Sequence, residues 1–102
     1  MKRDIVLLPE AEADIEEAYK WYESQKLNLG AKFIEEIETL LERIAKNPKI
    51  FAKIHHNLRR GFTHRFPYVV YFIVDDRQAI IYGVLHQRRN PAEWQTRLHI
   101  LF

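Results

Sequence analysis

The chain has 102 residues, 16 Lys/Arg against 14 Asp/Glu, five histidines and no cysteine. A length of this order sets the expectation of one domain, 1–102, with a single core. The lack of cysteine excludes disulfides, thiolate nucleophiles and thiolate metal sites, and fits a reducing cytosol.

The small net charge of +2 hides an asymmetry. Residues 1–46 sum to −4 and residues 47–102 to +6, with all five histidines in the second part. A basic half of this kind faces an anionic partner, or it is a solvated face that balances acidic helices.

In chain order, Lys2 to Leu8 reads as a first strand, with a continuous IVLL run ended by Pro9. The run is too short for a signal-peptide core or a membrane span. Pro9 suits the first position of a helix, and Glu10, Glu12 and Asp14 place negative charge near its positive end. The spacing of Ala11, Ile15, Ala18, Tyr19 and Tyr22 predicts one apolar stripe on a helix over 9–25. Phe33, Ile37, Leu40, Leu41 and Ile44 repeat that spacing on a second helix over 29–46, stopped by Asn47-Pro48. The short break around 26–30 makes the two an antiparallel hairpin.

The remainder reads as strands: a weak one over 50–54, another over 59–65, then Tyr68 to Val74 and Ala79 to His86 joined by an Asp-Asp-Arg-Gln turn. The simplest assembly is an α+β domain, a twisted antiparallel sheet with the helix pair on one face. The opposite sheet face is then uncovered, with Phe62, Tyr71, Tyr82 and His86 lining it. Residues 90–102 read as a short helix, in which Trp94 anchors the tail on the sheet. Trp21 reads as core or hairpin packing.

Three polar groupings carry candidate chemistry. His86, Arg88 and Arg89 close the last strand; the period of two places His86 on the side of Tyr82. Arginine there grips phosphate bidentately and histidine moves a proton near neutrality. Alternatively they are surface cations beside a capping ring. Arg59, Arg60, His64 and Arg65 flank Phe62, and arginine interleaved with aromatics suits single-stranded nucleic acid. The bland reading is an edge strand guarded by charge. His55 and His56 are adjacent, so in a strand they point to opposite faces and do not share a metal. The only serine is Ser24, and no Gly-rich phosphate loop is present. The carboxylates from Glu10 to Glu17 read as a solvated helix face. No metal or cofactor is expected.

The whole pattern resembles the RelE/ParE superfamily of bacterial toxins, of the plasmid-stabilisation type. The resemblance runs through AEADIEEAYKWYESQ, LGAKFIEEIETLLERIAKNP, LRRGFTHRFPYVVYFIVDD and IIYGVLHQRRNPAEW, the last with a His-x-x-Arg-x-Pro-x-x-Trp signature. It implies a β-α-α-β-β-β toxin of a type II toxin–antitoxin module, neutralised by an acidic, DNA-binding antitoxin in a cytoplasmic hetero-oligomer. ParE-like members poison DNA gyrase; RelE-like members cut mRNA on the ribosome. Carried onto this chain, a RelE-like site would use His86, Arg88, Arg89 and Arg65. The surface for target or antitoxin would draw on Arg59, Arg60, Phe62, His64, Tyr71, Tyr82, Trp94 and Arg97. The tail RLHILF has no tyrosine of the RelE kind and the lysines before the middle strand are only Lys49 and Lys53, so the ParE-like branch is favoured. A non-toxic partner-binding module is the reading from outside that class.

Overall fold

The computed structural model describes residues 2–88 and 95–97. Strand β1 (Asp4–Leu7) leads into helices α1 (Pro9–Gln25) and α2 (Leu29–Lys46). A single 3-10 turn (Pro48–Ile50) follows, then β2 (Lys53–His55), β3 (Leu58–Phe62), β4 (Tyr68–Val74) and β5 (Gln78–His86). Both helices keep their expected bounds. Residues 95–97 form a helical turn; Arg89 and the rest of the expected tail helix, with Pro91 and Trp94, lie outside the described residues. Among the described residues no helix is long and apolar enough to cross a membrane.

Pro9 opens α1 and acids fill its first turn, as helix-end electrostatics favours. The hairpin is closed by Glu23 of α1, whose carboxylate accepts the N–H groups of Asn28 (2.9 Å) and Gly30 (3.0 Å). It thereby caps the start of α2, which has no cap from its own N-cap side chain. Gly30 is required for the approach: a Cβ there would stand 2.8 Å from a Tyr19 ring carbon. Phe33, Ile37, Leu40 and Ile44 of α2 are essentially fully buried and pack with Val70, Phe72, Ala79, Ile81 and Val84 of the sheet.

The five strands lie in the order β1-β5-β4-β3-β2. The α+β class and the helix hairpin are as expected, but the sheet is mixed: β1 pairs with β5 in parallel. The reason is parity. Each successive element from β1 through α1, α2, β2, β3 and β4 to β5 reverses the chain, so β5 returns in the direction of β1.

A second correction decides where the functional side chains point. Tyr71 pairs with Gly83 and Phe72 with Ile81, so Tyr82 is an extra residue, a β-bulge in β5. Beyond a one-residue bulge the alternation changes phase. Ile80 and Tyr82 lie on the face away from the helices, whereas Val84 belongs to the helix-side core. His86, opposite Tyr68, therefore also faces the helices rather than sharing the side of Tyr82. Nor is the outer face bare. Leu58, Val69, Tyr71 and Leu85 are all under a tenth exposed and form their own cluster with Ile54, Ile73 and Tyr82.

Candidate functional site

The loop between β3 and β4 is built by Thr63 and Glu36. Thr63 is buried; its hydroxyl donates to the Phe66 carbonyl and accepts the Tyr68 N–H at 3.0 Å. A threonine at the end of a strand that hydrogen-bonds backbone three and five residues on is an ordinary way to fix a tight reversal. Glu36 reaches from α2 and accepts the N–H groups of Arg65 and Phe66, the latter at 3.2 Å. Its other oxygen lies 3.5 Å from Arg65 Nε. Burial alone would raise the Glu36 pKa, but the N–H groups of Phe66, Arg65 and His64 and the Arg65 side chain outweigh it and hold the carboxyl below the usual glutamate range. The loop thus presents His64 and Arg65 at the sheet end where β5 finishes. The Gln87 N–H donates to the Pro67 carbonyl at 2.7 Å and ties the two segments together.

His86 stands at that end, on the helix side. Its Nδ1 accepts the Arg88 N–H at 3.0 Å, which leaves the proton of the neutral ring on Nε2. The ring meets Tyr68 edge-on at 5.3 Å. Both line a cleft of about 340 Å³ between α1 and β5, with Asp14, Ala18, Trp21, Tyr22 and Val84 among its other walls. Trp21, expected in core or hairpin packing, is 58% exposed at this cleft. The indole meets Tyr22 edge-on at 5.1 Å.

Asp14 overturns the reading of the α1 carboxylates as a uniformly solvated face. Its side chain is 14% exposed. One oxygen accepts the Val84 N–H at 2.9 Å, on the stretch of β5 beyond the end of β1. The same oxygen lies 2.6 Å from Arg97 Nη1. Arg97 Nη1 also reaches the Tyr82 carbonyl at 3.4 Å. The carboxylate thus satisfies a strand edge and an arginine together. No sequence period marks it; a polar residue in an otherwise apolar i, i+4 row beside Ala18 was the available signal.

The remaining candidates divide. Arg60 and Phe62 lie on the outer face, with the Arg60 guanidinium 5.2 Å from the centre of the Phe62 ring and Phe62 48% exposed. Tyr71, opposite Arg60, is buried; its phenol pKa is raised by burial, with the Arg60 charge opposing. Arg59 faces the helix side and donates to the Phe51 carbonyl at 2.7 Å. His64 and Arg88 are exposed. Arg89 and Trp94 lie outside the described residues. The rings of His55 and His56 meet edge-on at 4.2 Å because His56 takes a left-handed turn conformation (φ 49°). Among the described residues no group of three or more His, Cys, Asp or Glu is placed to hold a metal ion.

Chemically, two of the arginines singled out have internal tasks, Arg59 on a carbonyl and Arg97 on Asp14, while Arg65 lies exposed beside Glu36. Arg60 and Arg88 are exposed, the first stacked on an exposed aromatic.

Residues 5–91 match the family model described as the ParE toxin of the type II toxin–antitoxin system, parDE. A solved structure described as the chromosomal ParDE TA system from P. aeruginosa is similar in fold, with a TM-score of 0.66 at 15% sequence identity, covering 83% of this chain and 96% of that chain. No curated protein matches by sequence.

Proposed function

Because this chain belongs to the family of ParE toxins of type II toxin–antitoxin systems, we propose that it arrests growth by inhibiting DNA gyrase through a protein–protein surface and is neutralised by a cognate antitoxin. The observation that carries the gyrase reading is the employment of the arginines. A nuclease site needs cations held with donors to spare for the charge that develops on a scissile phosphate. Here Arg59 and Arg97 are committed to carbonyl or carboxylate partners within the chain, and Arg65 lies exposed beside Glu36. What stays presented is Arg88 and, on the outer face, Arg60 over Phe62, an arginine–aromatic pair of the kind that anchors protein interfaces. The closed outer cluster beneath it makes that part of the sheet a firm platform.

Ribosome-dependent mRNA cleavage is the second reading, and His86 favours it: an imidazole with its Nε2 proton, against Tyr68 and beside Arg88, is equipped for proton transfer. An in vitro supercoiling assay separates the two. Purified toxin at micromolar concentration inhibits gyrase under the first reading, and Arg60→Ala/Phe62→Ala relieves the inhibition while His86→Ala does not. Full supercoiling activity at that concentration overturns it.

A further inference from the structure

The cleft between α1 and β5 has a composition that the basic character of the second half of the chain does not explain. Its walls carry three aromatic rings, Trp21, Tyr22 and Tyr68, and an imidazole, His86. The rings stand at angles to each other: Trp21 to Tyr22 at 85°, Tyr22 to Tyr68 at 65° and Tyr68 to His86 at 75°. Several ring faces and edges thus border one space instead of stacking shut. Two carboxylates line it, Asp14 and Glu17. Asp14 is matched by Arg97. Glu17 is exposed and takes part in no ion pair among the described residues, unlike its neighbour Glu16, which holds Lys20 at 2.9 Å. The His86 Nδ1 is taken up by the Arg88 N–H. Of the two carboxylates, Glu17 is therefore the one unmatched among the described residues, and it lies beside aromatic faces.

That combination selects a monovalent organic cation. A cation over the face of tryptophan or tyrosine gains about 0.5–2 kcal/mol depending on desolvation. A planar guanidinium adds stacking and a bidentate grip on a carboxylate, which an ammonium does not. We propose that this cleft receives an arginine side chain of the antitoxin, with the guanidinium paired to Glu17 and laid against Trp21. The choice of occupant rests on the family reading above; the choice of chemistry rests on the cleft alone. The volume of about 340 Å³ accommodates one long side chain with room for a neighbour. The exposure of Trp21 has its explanation here: the indole is covered when the partner docks. The carboxylates of the cleft come from α1, in the acidic part of the chain, so they give the antitoxin an anchor of opposite sign to the arginines at the neighbouring strand end.

The test has two arms. In the first, the toxin is titrated with N-acetyl-arginine methylamide, and the indole N–H resonance of Trp21 is followed by NMR, assigned with Trp21→Phe. A saturable shift is expected, weakened about tenfold by Glu17→Gln and absent with N-acetyl-norleucine methylamide. An equal response to the norleucine compound, or none to the arginine compound, overturns the cation site. In the second arm, binding of the cognate antitoxin is measured by calorimetry for the wild type, Glu17→Gln and Trp21→Ala. Losses of tenfold or more are expected for both variants. Wild-type binding that both substitutions leave unchanged overturns the arginine anchor while sparing the family reading. An antitoxin that fails to bind the wild type contradicts the family reading instead, leaving the first arm to judge the cleft. Both variants alter exposed residues, and a thermal melt confirms that they fold.

Discussion

Replacing Glu36 by glutamine tests whether one carboxylate of α2 holds the β3–β4 loop. The side chain is 11% exposed, whereas its partner Arg65 is 69% exposed. The exposed ion pair itself contributes little, under about 1 kcal/mol. The weight lies in the N–H groups of Arg65 and Phe66, which donate to one carboxylate oxygen. Glutamine keeps an acceptor there but removes the charge, and charge-assisted hydrogen bonds are roughly twice as strong as neutral ones. The expected cost of Glu36→Gln at pH 7 is therefore about 1–2 kcal/mol. For a domain of this size, that is roughly 4–8 °C in Tm for each kcal/mol. The pH dependence makes the test specific. The folded-state pKa of Glu36 lies below the ordinary 4.5, so its contribution is present above that value and is lost as pH falls through the folded pKa. Urea melts by circular dichroism at a series of pH values should show the two proteins separated at pH 7 and converging in acid. A difference that stays constant from pH 7 to acid, or no difference at pH 7, refutes the argument.

Thr63→Val keeps the shape but removes the hydroxyl that bonds Phe66 and Tyr68; a loss of about 1–2 kcal/mol by urea denaturation is expected, since the Tyr68 N–H retains the Phe66 carbonyl at 2.9 Å. Asp14→Ala strips both the Val84 N–H and Arg97 of their shared partner and should cost about 1.5–3 kcal/mol. Gly83→Ala would place a Cβ 2.8 Å from Arg97 Nη1, so its destabilisation should shrink in an Arg97→Ala background, a coupling readable from a double-mutant cycle. Tyr71 should ionise above 10.0 in a spectrophotometric titration; because its folded pKa is raised, its contribution is lost as pH rises above the unfolded value, and Tyr71→Phe should remove that alkaline loss.

The helices were legible because their signals are local. Pro9 at the first position, the i, i+4, i+7 rows and the Asn47-Pro48 stop are all written within a turn or two of the residues they govern. Strand β4 was equally plain as a continuous apolar run. The direction of β1 relative to β5 depends instead on counting every reversal between them, and the short β2 was the uncertain step in that count. The side taken by His86 hinged on a single bulged residue, Tyr82, in a run where Ile80, Tyr82 and Val84 gave no break in pattern. The same distance in sequence hid the Asp14–Arg97 pair, whose members are 83 residues apart. Composition saw a basic strand end, but it could not see that Arg59 and Arg97 would be drawn into internal contacts.

The central claim concerns the target of the toxin, and pulse-labelling in a bacterium tests it most directly. The chain is induced without its antitoxin, and thymidine and amino-acid incorporation are followed in the same culture over the first minutes. The account predicts that DNA synthesis stops first while translation continues, in the wild type and in His86→Ala alike. Translation stopping first, with the effect abolished by His86→Ala, would contradict it and assign the strand end to RNA cleavage.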